Sequence, residues 1–136
     1  MADSGSPNKV GEAAKPRSIE AGARDFLKRN RAPAEIEADW NDWINRSGGE
    51  VWARPGLSRD QRSLVTISVL SVLRENGPLR VHVEAGLANG LSREEIGEAI
   101  MHTAVYAGVP QALQSMQIAY EVFGELDSKQ VLESGD

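Results

Sequence analysis

Cysteine is absent from all 136 residues. That excludes disulfides, thiolate zinc sites, thiol nucleophiles and dithiol redox chemistry. No run of about 18 apolar residues occurs, so no membrane-spanning helix is expected. Basic residues are not in excess: 15 Lys and Arg face 20 Asp and Glu, for a net charge of -5. A nucleic-acid surface needs a basic stripe, and none is present. The opening MADSGSPNKVGEAAKP has no apolar h-region, so no secretory signal is expected and the default location is cytoplasmic. Strictly alternating β-branched runs are missing, which argues against a sheet, and no fixed-period repeat is found. GGEVWARPG matches no nucleotide-binding fingerprint, and no serine sits in a nucleophile elbow.

The length allows one domain. Residues 1–17 are rich in Ser, Gly, Ala, Lys and Pro and read as a disordered tail. Residues 127–136 read as a flexible one, leaving a helical domain over 18–126. Helical punctuation divides that domain into about six segments. Ser18 caps a first helix to Asn30, with Ile19, Ala23, Phe26 and Leu27 at helical spacing. A second begins near Pro33, carries Ile36, Trp40, Trp43 and Ile44 on one face, and is expected to end at Gly48-Gly49. GEVWARPGL then reads as an irregular connection, because Arg54 precedes Pro55. Ser58 and Gln61 form a capping box for a third helix to Leu73, apolar on more than one side and expected to be central and buried. Asn76-Gly77 predicts a stop, with Pro78 in the first turn of a fourth helix that ends at Asn89-Gly90. Ser92 and Glu95 box the fifth helix, to about Ala107. Gly108-Val109-Pro110 breaks it, and a sixth helix is expected to reach about Phe123.

Few residues in this pattern can carry chemistry. His82 has Leu79, Val83, Gly86 and Leu87 at neighbouring helical positions, so it points near the buried face. Spacing leaves two readings, a core histidine satisfied by one hydrogen bond or an acid–base group beside the room left by Gly86. Glu95, Glu98, His102 and Tyr106 form a polar stripe on the fifth helix. It reads either as a solvated or inter-subunit face or as a site in which Glu98 pairs His102. Two ligands one turn apart also permit a metal, but no third is evident, and no metal site is expected. Glu50, Trp52, Arg54 and Arg62 cluster around the connection before the third helix. The arginines there either bind a substrate carboxylate or pair with surface acids.

The ordered strings GEVWARPGL, RSLVTISVL, LRVHVEAGLANGLSREEIGEAI and HTAVYAGVPQA resemble the carboxymuconolactone decarboxylase family over roughly half the chain. The resemblance implies an all-α, alkylhydroperoxidase-like helical bundle that assembles as a homo-oligomer, a trimer or hexamer. Relatives of that fold that use a Cys-x-x-Cys pair are excluded by the missing cysteine. It also implies a cofactor-independent carboxy-lyase that converts 4-carboxymuconolactone to 3-oxoadipate enol-lactone, in the protocatechuate branch of the β-ketoadipate pathway. His82 is then the acid–base group, Glu50 orients or charges it, and His102 or Tyr106 donates toward the developing oxyanion. Arg54 or Arg62 holds a carboxylate, with Trp52 beside them. The expected partners are a small carboxylate or lactone substrate and further copies of the chain.

Two positions depart from the family pattern. The family usually places Glu one turn before the histidine, where this chain has Pro78, and often Trp before the Gly-Glu pair, where this chain has Gly48. Two other functions remain open: an isomerase or cyclase using the same pocket on an uncharged substrate, and a non-catalytic assembly protein. An arginine and His82 in one pocket favours the lyase. His82 without a cation favours the isomerase, and His82 closed off by packing favours the assembly protein.

Overall fold

The computed structural model describes residues 15–135. Six helices make up the described chain: α1 (Ile19–Arg29), α2 (Glu37–Trp52), α3 (Arg59–Leu73), α4 (Asn76–Ala88), α5 (Arg93–Ala107) and α6 (Val109–Ser134). No strand occurs among the described residues, and the protein is all-α. None of its helices is long and apolar enough to cross a membrane.

Local chemistry sets most of the boundaries. The Ser18 hydroxyl accepts from the Ala21 amide at 3.3 Å and opens α1. Both capping boxes form: the Gln61 side chain accepts from the Ser58 amide at 3.0 Å, and Glu95 from the Ser92 amide at 2.7 Å. Gly90, at φ 105, takes the left-handed turn after α4 that a side chain would strain.

Four boundaries differ from the expectation. Gly48 and Gly49 do not end α2, which runs through them to Trp52. The irregular connection shrinks to Ala53–Ser58. Glycine costs a helix up to ~1 kcal/mol, which biases the chain without forbidding the helix. The start moves as well, because a turn from Pro33 to Ile36 precedes Glu37. The stop between α3 and α4 is Arg74, at φ 58. Asn76 and Gly77 already belong to α4, with Pro78 still in its first turn. Finally, α6 continues past Phe123 to Ser134. Leu126 is buried, and the Asp127 carboxylate accepts two bonds from Arg93 at the start of α5, at 2.6 and 3.1 Å. The proposed N-terminal tail falls mostly on residues outside those described. Its last residue, Arg17, is tied down: its amide and guanidinium bond Glu84 at 2.8–3.3 Å.

The core gathers Ile67 of α3, Leu79 and Val83 of α4, Ile96 and Ile100 of α5, and Ile118 and Val122 of α6. The buried helix is α4, packed by α1, α3, α5 and α6. This corrects the expectation for α3, which buries Ser63, Ile67 and Ser71 but leaves Val65, Val69, Val72 and Leu73 exposed. Apolar residues all round a helix mark burial only when every face finds a partner, and one face of α3 finds none among the described residues. Gly86 has a packing reason: a Cβ there would lie 3.2 Å from the Cδ1 atoms of both Ile67 and Leu91. Gly22 lets α1 approach α4, since a Cβ would lie 2.6 Å from Val81 Cγ1. By contrast, α2 buries no residue. It stands off the bundle and encloses space against α1.

Candidate active site

His82 sits in the middle of α4 between two buried valines, Val81 and Val83, and is itself half-buried. Its ring faces a cavity of about 500 Å³. The wall on one side is α1, through Ile19, Glu20, Ala23 and Arg24. On the other it is α2, through Ile44, Asn45, Gly48, Gly49 and Trp52. Trp52 stacks on His82, with ring centroids 6.0 Å apart and planes at 19°. The guanidinium of Arg59 lies 5.7 Å from the Trp52 ring and donates to Glu20 at 3.0 Å, so the first turn of α3 braces that corner. The Glu20 carboxyl is held below its ordinary range, first by backbone N–H donation at its own position and then by Arg59.

Burial pushes His82 down from 6.5 to about 4, because an apolar surround disfavours the imidazolium. The ring is therefore neutral at pH 7. Its Nδ1 is buried and has no hydrogen-bond partner. Buried polar atoms are normally satisfied, so one without a partner at the edge of a cavity calls for an explanation. Pro78 provides no carboxylate one turn earlier. The one carboxylate on α4, Glu84, is engaged by Arg17.

Of the residues singled out in sequence, the structure brings His82 and Trp52 together. Glu50 lies exposed on α2 and does not line the cavity. Arg54 and Arg62 meet each other instead, Arg62 Nη2 donating to the Arg54 carbonyl at 2.9 Å, and neither lines the His82 cavity. His102 and Tyr106 are neighbours on α5, ring centroids 5.4 Å apart, on an exposed face. No hydrogen bond joins His102 to Glu98; both border a separate groove between α3 and α5. No group of three or more His, Asp or Glu side chains among the described residues is placed to hold a metal.

The residues that sequence reasoning missed are on α1 and the middle of α2. Arg24 makes no ion pair or hydrogen bond with another described residue, although its neighbours Arg17, Lys28 and Arg31 are all paired. Asn45 stands across from it on α2. No motif marks either residue, and only the approach of α1 and α2 to α4 shows that they share a cavity with His82.

One cavity of this helical domain thus holds a neutral, desolvated imidazole and an arginine that has no partner among the described residues, the groups that proton transfer and anion binding require. The sequence matches the model of the carboxymuconolactone decarboxylase family over residues 38–121, and the chain belongs to that family. It is 44% identical over 93 residues to the 4-carboxymuconolactone decarboxylase of Acinetobacter baylyi, covering 68% of this chain and 69% of that protein. It is 31% identical over 111 residues to the nitrosuccinic acid decarboxylase of Metarhizium robertsii, covering 82% of this chain and 73% of the other.

Proposed function

We propose that this protein is a cofactor-independent carboxy-lyase acting on a small carboxylated lactone. 4-Carboxymuconolactone, on the β-ketoadipate route, is the reference substrate. One observation carries the reading: His82 and Arg24, which has no partner among the described residues, line the same cavity. An isomerase on an uncharged substrate has no use for that cation. An assembly role has no use for an open cavity at His82. The two relatives above, both named decarboxylases, support the same reading.

The reaction breaks the bond between the ring and the departing carboxylate. The electron pair passes through the ring double bond onto the lactone carbonyl oxygen, and a proton then adds to carbon. Arg24 supplies the charge that draws an anion into the cavity, while the Glu20 carboxylate on the same wall is engaged by Arg59. A substrate packed against the apolar side chains of Trp52, Ile19 and Ile44 sheds water there, which favours loss of a charged carboxylate as neutral carbon dioxide. His82 enters this step neutral. A bound anion raises a neighbouring histidine's pKa, so the substrate itself promotes uptake of the proton that His82 later delivers to carbon. Glu50, Arg54, Arg62, His102 and Tyr106 lie outside this cavity in one protomer, and a role for any of them requires the face of a second copy.

Self-association as a trimer or hexamer belongs to the same proposal. Val109, Leu113, Met116 and Tyr120 make an exposed apolar stripe on α6, and Val65, Val69 and Val72 make another on α3. Contiguous apolar faces of this kind mark interfaces. A monomer by sedimentation at micromolar concentration overturns the assembly. The activity is tested by carbon dioxide release and absorbance change across a panel of carboxylated muconolactones. No release from any of them overturns the lyase.

A further inference from the structure

The cavity wall on α2 contains two adjacent glycines in the interior of a helix, and neither the backbone nor the packing requires them. Gly48 and Gly49 do not have positive φ, which among the described glycines belongs to Gly90 and Gly108. A Cβ at either position would meet nothing within 4 Å. Both cost the helix stability relative to alanine. What they do leave is space, because both line the His82 cavity, between Asn45 one turn before and Trp52 one turn after.

That space lies beside apolar neighbours. Ile19 and Ala23 of α1 and Ile44 of α2 line the same cavity, while its charged groups come from α1. At about 500 Å³ the cavity falls in the range that takes drug-sized ligands, and an unsubstituted lactone acid is smaller. Arg24 and Asn45 also border a second basin of about 370 Å³ between α1 and α2, so the open space continues along the groove.

We infer that Gly48 and Gly49 determine substrate size, and that the site takes carboxylated lactones bearing an additional apolar substituent, which lies along the glycine wall. This rests on the lyase reading for the reaction, but the selection by size is a property of binding and is measured separately.

The experiment compares wild type, Gly48→Ala and Gly48→Leu, with Gly97→Ala as control. Gly97 lies in α5 outside the cavity, and a Cβ there also meets nothing within 4 Å. Calorimetry measures binding of succinate and phenylsuccinate, unreactive diacids that differ by one apolar ring. Turnover is measured on a plain and an alkyl-substituted carboxylated lactone. Wild type is expected to favour the larger member of each pair. Gly48→Ala and Gly48→Leu should lose that preference progressively, about tenfold or more for leucine, while Gly48→Ala and Gly97→Ala both raise the melting temperature. An unchanged preference, no binding of either diacid, or a Gly48 variant that alters the assembly state and not the preference each overturns the inference. Loss of the binding preference without turnover of any lactone leaves the size selection standing and overturns the lyase.

Discussion

The Trp52 indole covers the His82 imidazole across the α2–α4 gap, with planes at 19°. One residue closes the helix that stands off the bundle, and the other lies in the middle of its most buried helix. Their contact joins the cavity wall to the cavity floor.

The His82→Asn variant should keep its fold and lose turnover by roughly two to four orders of magnitude, the usual contribution of a positioned acid–base group. Circular dichroism and a turnover assay check this together. A variant that unfolds, with activity per folded molecule intact, makes His82 structural.

The low pKa of His82 links stability to pH. The folded state holds the ring at about 4, while the unfolded chain titrates near 6.5. Between these values the unfolded state binds more protons, so stability rises with pH there. This contribution is fully present above 6.5 and is lost as pH falls through 4. Urea unfolding across that window should show the decline in wild type and a smaller one in His82→Gln.

Removing the indole should expose the ring. In Trp52→Ala the His82 pKa is expected to rise from about 4 toward 6.5, because desolvation is the cause of its depression. Proton NMR titration of the imidazole reads the shift directly. A pKa that stays put would assign the burial to α1 and α4 alone.

Arg17 pins α1 over α4 through the buried Glu84, and also bonds Asp25 at 2.8 Å. Breaking a buried pair leaves a carboxylate without its partner. The full cost of ~3–5 kcal/mol is reduced here because Arg17 is partly exposed. Arg17→Met should lower the unfolding free energy by about 1–3 kcal/mol. It should also raise KM more than it lowers kcat, since α1 carries Arg24 to the cavity.

Pro78 stands in the first turn of α4, where its missing N–H costs nothing. Pro78→Glu puts a carboxylate one turn before His82 and should raise that histidine's pKa. Side-by-side assays on 4-carboxymuconolactone should then show higher turnover in the variant than in wild type. Robust wild-type turnover with no gain from Pro78→Glu makes the carboxylate dispensable.

The sequence by itself determined the elements whose signals are local. Ser58 with Gln61, Ser92 with Glu95, and Asn89-Gly90 mark helix ends because their hydrogen bonds close within a few residues. It also determined that His82 lies near a buried face, since helical spacing places Leu79 and Val83 beside it. Only the tertiary structure decided what meets His82. Trp52 is 30 positions away and Arg24 is 58 away, and no periodicity within one helix encodes the distance between two. The same limit explains Gly48-Gly49, which reads locally as a stop. Propensity sets a cost of about 1 kcal/mol per glycine, and the continuing hydrogen bonds of α2, anchored where Trp52 stacks on His82, outweigh it. Likewise α3 looked buried because apolar residues on several faces require several partners. Which faces are covered depends on where the other helices pack.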